Sequence, residues 1–152
     1  MKSNLRYKST GEVHKDFHGL TCATLHYLID NYGMESVREI LKNTAQRVYK
    51  TMHLALRSGD CSELTEWWKY YLDREGGVFS IESQGSGVRL VVRDCPALRH
   101  LVKLGQKPDS VMCEATCIFN EALAEGSPFM AEFDKTGDFA CVQTFRRREG
   151  NA

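Results

Sequence analysis

The densest run of reactive side chains lies near the start of the chain, in His14-Lys15-Asp16-Phe17-His18-Gly19-Leu20-Thr21-Cys22-Ala23-Thr24-Leu25-His26. His18, Cys22 and His26 stand four residues apart, and on a helix such positions share one face with Cβ atoms about 5–6 Å apart. An imidazole beside a thiol lowers the thiol pKa and yields a thiolate nucleophile near neutral pH. Cys22, with His18 and His26 as acid/base partners, is therefore a catalytic candidate. The competing expectation is structural, because cysteine is among the most buried residue types and packs as a small hydrophobe.

An earlier helix start adds His14 to the same row, and an imidazole row is also half of a metal site. In His14-x3-His18, however, Lys15 stands where a zinc peptidase places its general-base Glu, so that identity is excluded. A second thiol pair, Cys113 and Cys117, is also four residues apart, which makes Cys117 a further catalytic candidate. His14, His18, Cys113 and Cys117 together form the metal alternative, with zinc as the metal; otherwise no cofactor is expected. C-x3-C is not the C-x2-C knuckle of structural zinc sites; small core residues are the competing expectation for these cysteines, with redox chemistry as a further alternative. Glu121 stands one turn after Cys117 and could face a pocket. Arg89, Arg93 and Arg99 surround Asp94-Cys95-Pro96, and Arg93 or Arg99 could hold a substrate carboxylate bidentately. His53 and His100 are isolated and are expected to be hydrogen-bonded or partly exposed. Trp67-Trp68 and Tyr70-Tyr71 are expected in core and rim packing, with an apolar ligand site as the alternative.

Positioning these residues falls to a series of helices and hairpins. Residues 1–12 are polar and irregular, and residues 13–75 are helical. His18 to Tyr32 reads as a helix stopped by Gly33. Val37, Ile40, Leu41, Val48, Met52 and Leu56 recur at helical spacing through Met34 to Arg57, ending at Gly59. Asp60 with Glu63 suggests a capping box for a third helix bearing Leu64, Trp67, Trp68, Tyr71 and Leu72, stopped by Gly76-Gly77. Over residues 76–148 the period changes. Val78 to Ser83 and Val88 to Asp94 form a hairpin across Gln84-Gly85-Ser86-Gly87. Pro96 opens a helix to Gly105, and Pro108 with Asp109 opens another that carries Val111, Ala115, Ile118, Phe119, Ala122 and Leu123 to Gly126. A last hairpin, Met130 to Lys135 and Phe139 to Arg147, turns at Thr136-Gly137-Asp138 and puts Phe139, Cys141, Gln143 and Phe145 on one face. The expected fold is α+β: N-terminal helices, then β-hairpin, two helices and β-hairpin, forming an antiparallel sheet with helices mainly on one face. No strand–helix–strand alternation or phosphate loop points to a nucleotide-binding doubly wound sheet.

Composition narrows the partners. The 152 residues carry 20 basic and 20 acidic side chains, so the net charge is zero. Nucleic acid and anionic membrane surfaces call for a basic excess, and neither partner is expected here; a small molecule is. A single domain of this length buries about 70% of its unfolded surface, so the six cysteines are not needed as staples. No apolar run reaches the ~18 residues of a membrane span, and the first thirty residues lack the apolar stretch of a signal peptide. The expectation is a cytoplasmic protein with reduced thiols.

Asp94-Cys95-Pro96-Ala97-Leu98, the following helix, Cys113-Glu114-x-x-Cys117, Ala124-Glu125-Gly126-Ser127-Pro128-Phe129 and a last strand with Cys141 before Phe145 resemble the L-2-amino-thiazoline-4-carboxylic acid hydrolase family. The resemblance covers about residues 14–148. Related patterns occur in the 4-vinyl reductase small-molecule-binding domains, which share an α+β fold with transport-particle subunits. Family members place Asp-Pro-x-Cys near the last strand, where this chain has Gly137-Asp138-Phe139-Ala140-Cys141. The resemblance implies a hydrolase that opens a cyclic amidine ring at a carbon between sulfur and nitrogen, using a nucleophile or activated water, an acid for the departing nitrogen and a cation for the carboxylate. A non-catalytic small-molecule or metal sensor is the alternative. The use of this fold in oligomeric particles suggests a homodimer as the assembly.

Overall fold

The computed structural model describes residues 16–107 and 110–149. The elements run α1 (Asp16–Tyr32), α2 (Met34–Asn43), a π turn (Thr44–Val48), α3 (Lys50–Arg57), α4 (Ser62–Glu75), β1 (Val78–Gln84), β2 (Gly87–Asp94), α5 (Pro96–Lys103), α6 (Ser110–Ala124), β3 (Phe129–Gly137) and β4 (Ala140–Arg147). The fold is α+β, as the change of period predicts, and its four antiparallel strands lie in the order β1-β2-β4-β3. The stretch 1–12 and the helix start at Pro108-Asp109 fall outside the described residues. No described helix is long and apolar enough to cross a membrane.

Alternation along the strands decides which face is covered. Val88, Leu90 and Val92 of β2 are buried with Gln143 and Phe145 of β4, whereas Arg93 and Arg146 are exposed. The helices occupy the buried side, where Leu56, Leu64, Trp68, Leu123, Phe129 and Phe145 form the main core. A second cluster, Cys22, Leu25, Val37, Leu98, Leu101 and Val111, joins α1 and α2 to α5 and α6. The two hairpins meet where β2 pairs with β4, Val88 opposite Phe145 and Val92 opposite Cys141. A Cβ at Gly87 would lie 2.2 Å from the Phe145 carbonyl oxygen, so only glycine lets the strands approach this closely at the start of β2.

Three local expectations change. The helix expected from Met34 to Arg57 contains the π turn, in which the Tyr49 amide reaches back five residues to the Thr44 carbonyl at 3.1 Å. One extra residue per turn shifts the phase. Val48, expected on the buried face, is 75% exposed, while Ala45 is buried and Tyr49 packs on the core. At the start of α4 the capping box of Asp60 and Glu63 is replaced by Asp60 alone, whose carboxylate accepts from the Ser62 amide at 2.8 Å and the Ser62 hydroxyl at 2.9 Å. The last hairpin turns at Asp138–Phe139, so Phe139 leaves the strand and its carbonyl accepts the Cys95 amide at 2.8 Å.

Candidate functional site

Among the buried polar side chains, Glu75 at the end of α4 meets His18 of α1, and Asn120 pairs with Gln143 between α6 and β4. Glu75, the last residue of α4, is buried although it is acidic. Its Oε2 lies 2.7 Å from His18 Nε2, and the two side chains are 8% and 16% exposed. The sequence sets this up through α4: Leu64, Trp68 and Glu75 fall on its buried side, and Gly76, at φ 74°, stops the helix there. An ionised carboxylate only accepts hydrogen bonds, and His18 donates to it from Nε2. The His100 ring stands 6.5 Å from that of His18, centroid to centroid.

Three thiols lie beside this pair. Cys95 is the N-cap of α5. Burial pushes its thiol above the ordinary range, and Cys113 and Glu75 add to the rise, while the Leu98 and Ala97 amides at the helix start pull the other way. Burial likewise pushes Cys141 up to about 11, against a lowering contribution from Gln143 and with Cys95 and Cys113 adding to the rise. Gln143 Nε2 is 3.7 Å from the Cys141 sulfur, and its Oε1 accepts from buried Asn120 at 2.7 Å. This amide pair satisfies two buried polar side chains across the α6–β4 contact. No disulfide joins any of the six cysteines.

Along the first histidine–cysteine row, His18 meets Glu75, Cys22 is 2% exposed within the second core cluster, and His26 is exposed. Because α1 packs along its length, positions four apart on one face still differ in what covers them. Cys113 belongs with Cys95 and Cys141, whereas Cys117 is surrounded by Glu121, Arg38 and Glu114. The Cys117 sulfur is 3.7 Å from Glu121 Oε1, so Glu121 partners this thiol. Burial and then the Glu121 charge raise the Cys117 pKa, while Arg38 opposes them.

Neither arginine of the carboxylate role has a guanidinium held open toward this cluster. Arg99 donates from Nε to both Asp94 oxygens at 2.8 and 2.9 Å and stacks on the Phe139 ring at 5.1 Å, which braces the junction carrying Cys95. Arg93 is exposed on the outer side of β2 and donates to Ser80 at 3.2 Å. Of the metal set, His14 is outside the described residues, and among the described residues no group of three His, Cys, Asp or Glu side chains could hold a metal ion. His53 donates from Nδ1 to the Leu123 carbonyl, 2.9 Å away, in the hydrogen-bonded role expected for it.

Glu75 is the site residue that periodicity hides, since an acid at the end of an amphipathic helix reads as solvated. Asn120, on the polar side of α6, is hidden in the same way, whereas strand alternation already put Gln143 on the face of Phe145. Comparison with family models, with curated proteins and with solved structures finds no match.

Proposed function

We propose that this chain is a small-molecule C–N hydrolase that opens a cyclic amidine such as 2-amino-thiazoline-4-carboxylate, with His18 as the acid/base group and Glu75 as the carboxylate that orients it. The observation that carries this reading is the 2.7 Å contact between His18 Nε2 and the buried Glu75 carboxylate. A carboxylate on one ring nitrogen fixes the tautomer and stabilises the imidazolium that forms when the other nitrogen takes a proton. His18 Nδ1 removes a proton from water as the water oxygen bonds to the amidine carbon. As the water oxygen bonds, the C=N π pair moves to the ring nitrogen, which takes that proton from His18. His18 then removes the remaining hydroxyl proton as the carbonyl forms, and the ring C–N bond breaks with its electron pair going to the ring nitrogen. This second proton passes to that nitrogen to leave a free amine.

Water is favoured over a thiol as nucleophile. Burial holds Cys95 and Cys141 in their protonated forms at neutral pH, and the thiolate is the reactive species. Ring opening of 2-amino-thiazoline-4-carboxylate, followed by loss of the thiazoline absorbance, tests the reading. Turnover in the unmodified protein should fall about 10²-fold or more in His18→Asn and in Glu75→Gln, and persist in Cys117→Ala. No turnover, or equal turnover in all variants, would sink it.

The protonated thiols of Cys95 and Cys141 support a second reading, a non-catalytic small-molecule sensor with a soft, neutral lining. That reading predicts a rise in melting temperature with the thiazoline and no product.

A further inference from the structure

On the other half of α4 the chain forms an open groove of about 520 Å³ between the π turn, α3 and α4, lined by Tyr49, Trp67, Tyr70 and Tyr71 with Glu63 and Glu66. The volume falls within the range of small-molecule sites. Its rings form a continuous edge-to-face array: Tyr49 to Trp67 at 5.6 Å, Trp67 to Tyr71 at 5.3 Å and Tyr70 to Tyr71 at 5.2 Å. Phe119 of α6 backs the array, 5.2 Å from Tyr49. The π turn contributes directly, because it turns Tyr49 toward these rings and leaves Val48 at the edge of the groove.

The charge of the lining is one-sided. Glu63 and Glu66 are exposed and have no ion-pair or hydrogen-bond partner among the described residues, and no basic residue lines the groove. One of the lining rings already attracts a cation, for the Arg74 guanidinium lies 4.9 Å from the Tyr70 ring centre. Ring faces carry negative quadrupole potential, and a weakly hydrated cation enclosed by several of them is bound without the desolvation cost of an ammonium. The two carboxylates supply the long-range attraction that a neutral apolar ligand would not feel.

We propose that this groove is a second ligand site, separate from the His18–Glu75 cluster, and that it takes a small free organic cation of the trimethylammonium class. Carboxylate and aromatic chemistry of this kind would recognise the same headgroup on a lipid, so the test separates the two sources. Choline is titrated into the full chain by calorimetry and by tryptophan fluorescence, beside its uncharged isostere 3,3-dimethylbutan-1-ol, and the protein is floated with phosphatidylcholine vesicles.

Saturable choline binding is expected, at least tenfold tighter than binding of the uncharged isostere, with no flotation. The double substitution Glu63→Gln/Glu66→Gln should weaken choline about tenfold while leaving the isostere unchanged. Tyr71→Ala should weaken both ligands. The carboxylates and Tyr71 are exposed, and far-ultraviolet circular dichroism confirms that each variant folds. Equal affinity for choline and its isostere, absence of saturation, or choline affinity unchanged in the double variant would overturn the proposal. Vesicle binding without choline binding would overturn it in favour of a lipid surface.

Discussion

Burial sets the reactivity of the thiols. Desolvation disfavours the thiolate, so a cysteine that spacing alone presents as a nucleophile is neutral at physiological pH once enclosed. For Cys141, with its pKa pushed up to about 11, ~0.1% is ionised at pH 8. Iodoacetamide should therefore modify Cys141 slowly in the folded protein at pH 8 and rapidly after unfolding in urea, as read by peptide mass spectrometry. The same shift links stability to pH. The folded chain holds this proton more tightly than the unfolded chain, whose thiol titrates near 9. The stabilisation is present below that value and is lost as pH rises from about 9 through about 11. Urea midpoints that stay level across this window would contradict the assigned burial. Glu75 shows the converse: a charged group taken out of water is retained where a partner satisfies it, and His18 does so at 2.7 Å.

At the scale of elements, the π turn couples two functions of one helical run. Without its extra residue, regular helical spacing from Val37 would bring Val48 rather than Tyr49 onto the core. Deleting Arg47, which is exposed, should convert the π turn into ordinary α-helix while keeping Tyr49, Met52 and Leu56 in phase with the core. The expected cost is less than about 1 kcal/mol, measured by urea denaturation. Inserting an alanine after Arg47 should instead rotate α3 by about 100° and cost several kcal/mol. Equal stability of the two variants would defeat the phase argument. α5 is positioned by its neighbours as much as by Pro96: the Phe139 carbonyl holds the Cys95 amide and Arg99 grips Asp94, so the hairpin β3–β4 fixes the entry to this helix.

The whole molecule is a sheet covered on one face, with the polar cluster at the junction of its helical half and its hairpin half. Leu101 is fully buried in the cluster that ties α1 to α5 and α6. Leu101→Ala should cost about 2–5 kcal/mol, whereas Val102→Ala, at an exposed neighbour on the same helix, should stay within about 0.5 kcal/mol. Urea denaturation separates the two, and matching losses would show that the second cluster does not brace the site.

The sequence by itself determined the α+β class, the order of helices and hairpins and most of their stops, because these follow from local period and from residues with fixed backbone preferences. Pro96 at the head of α5 and Gly33 and Gly76 at helix ends act within a turn of where they stand. The sequence also singled out His18 and the frame of Cys95, Cys113 and Cys141. It did not single out Glu75, which lies 57 residues away from His18 in the chain and meets it only in the tertiary structure. Whether a side chain meets water, a carboxylate or a layer of leucines depends on elements far apart in sequence, and that environment fixes both its charge and its chemistry.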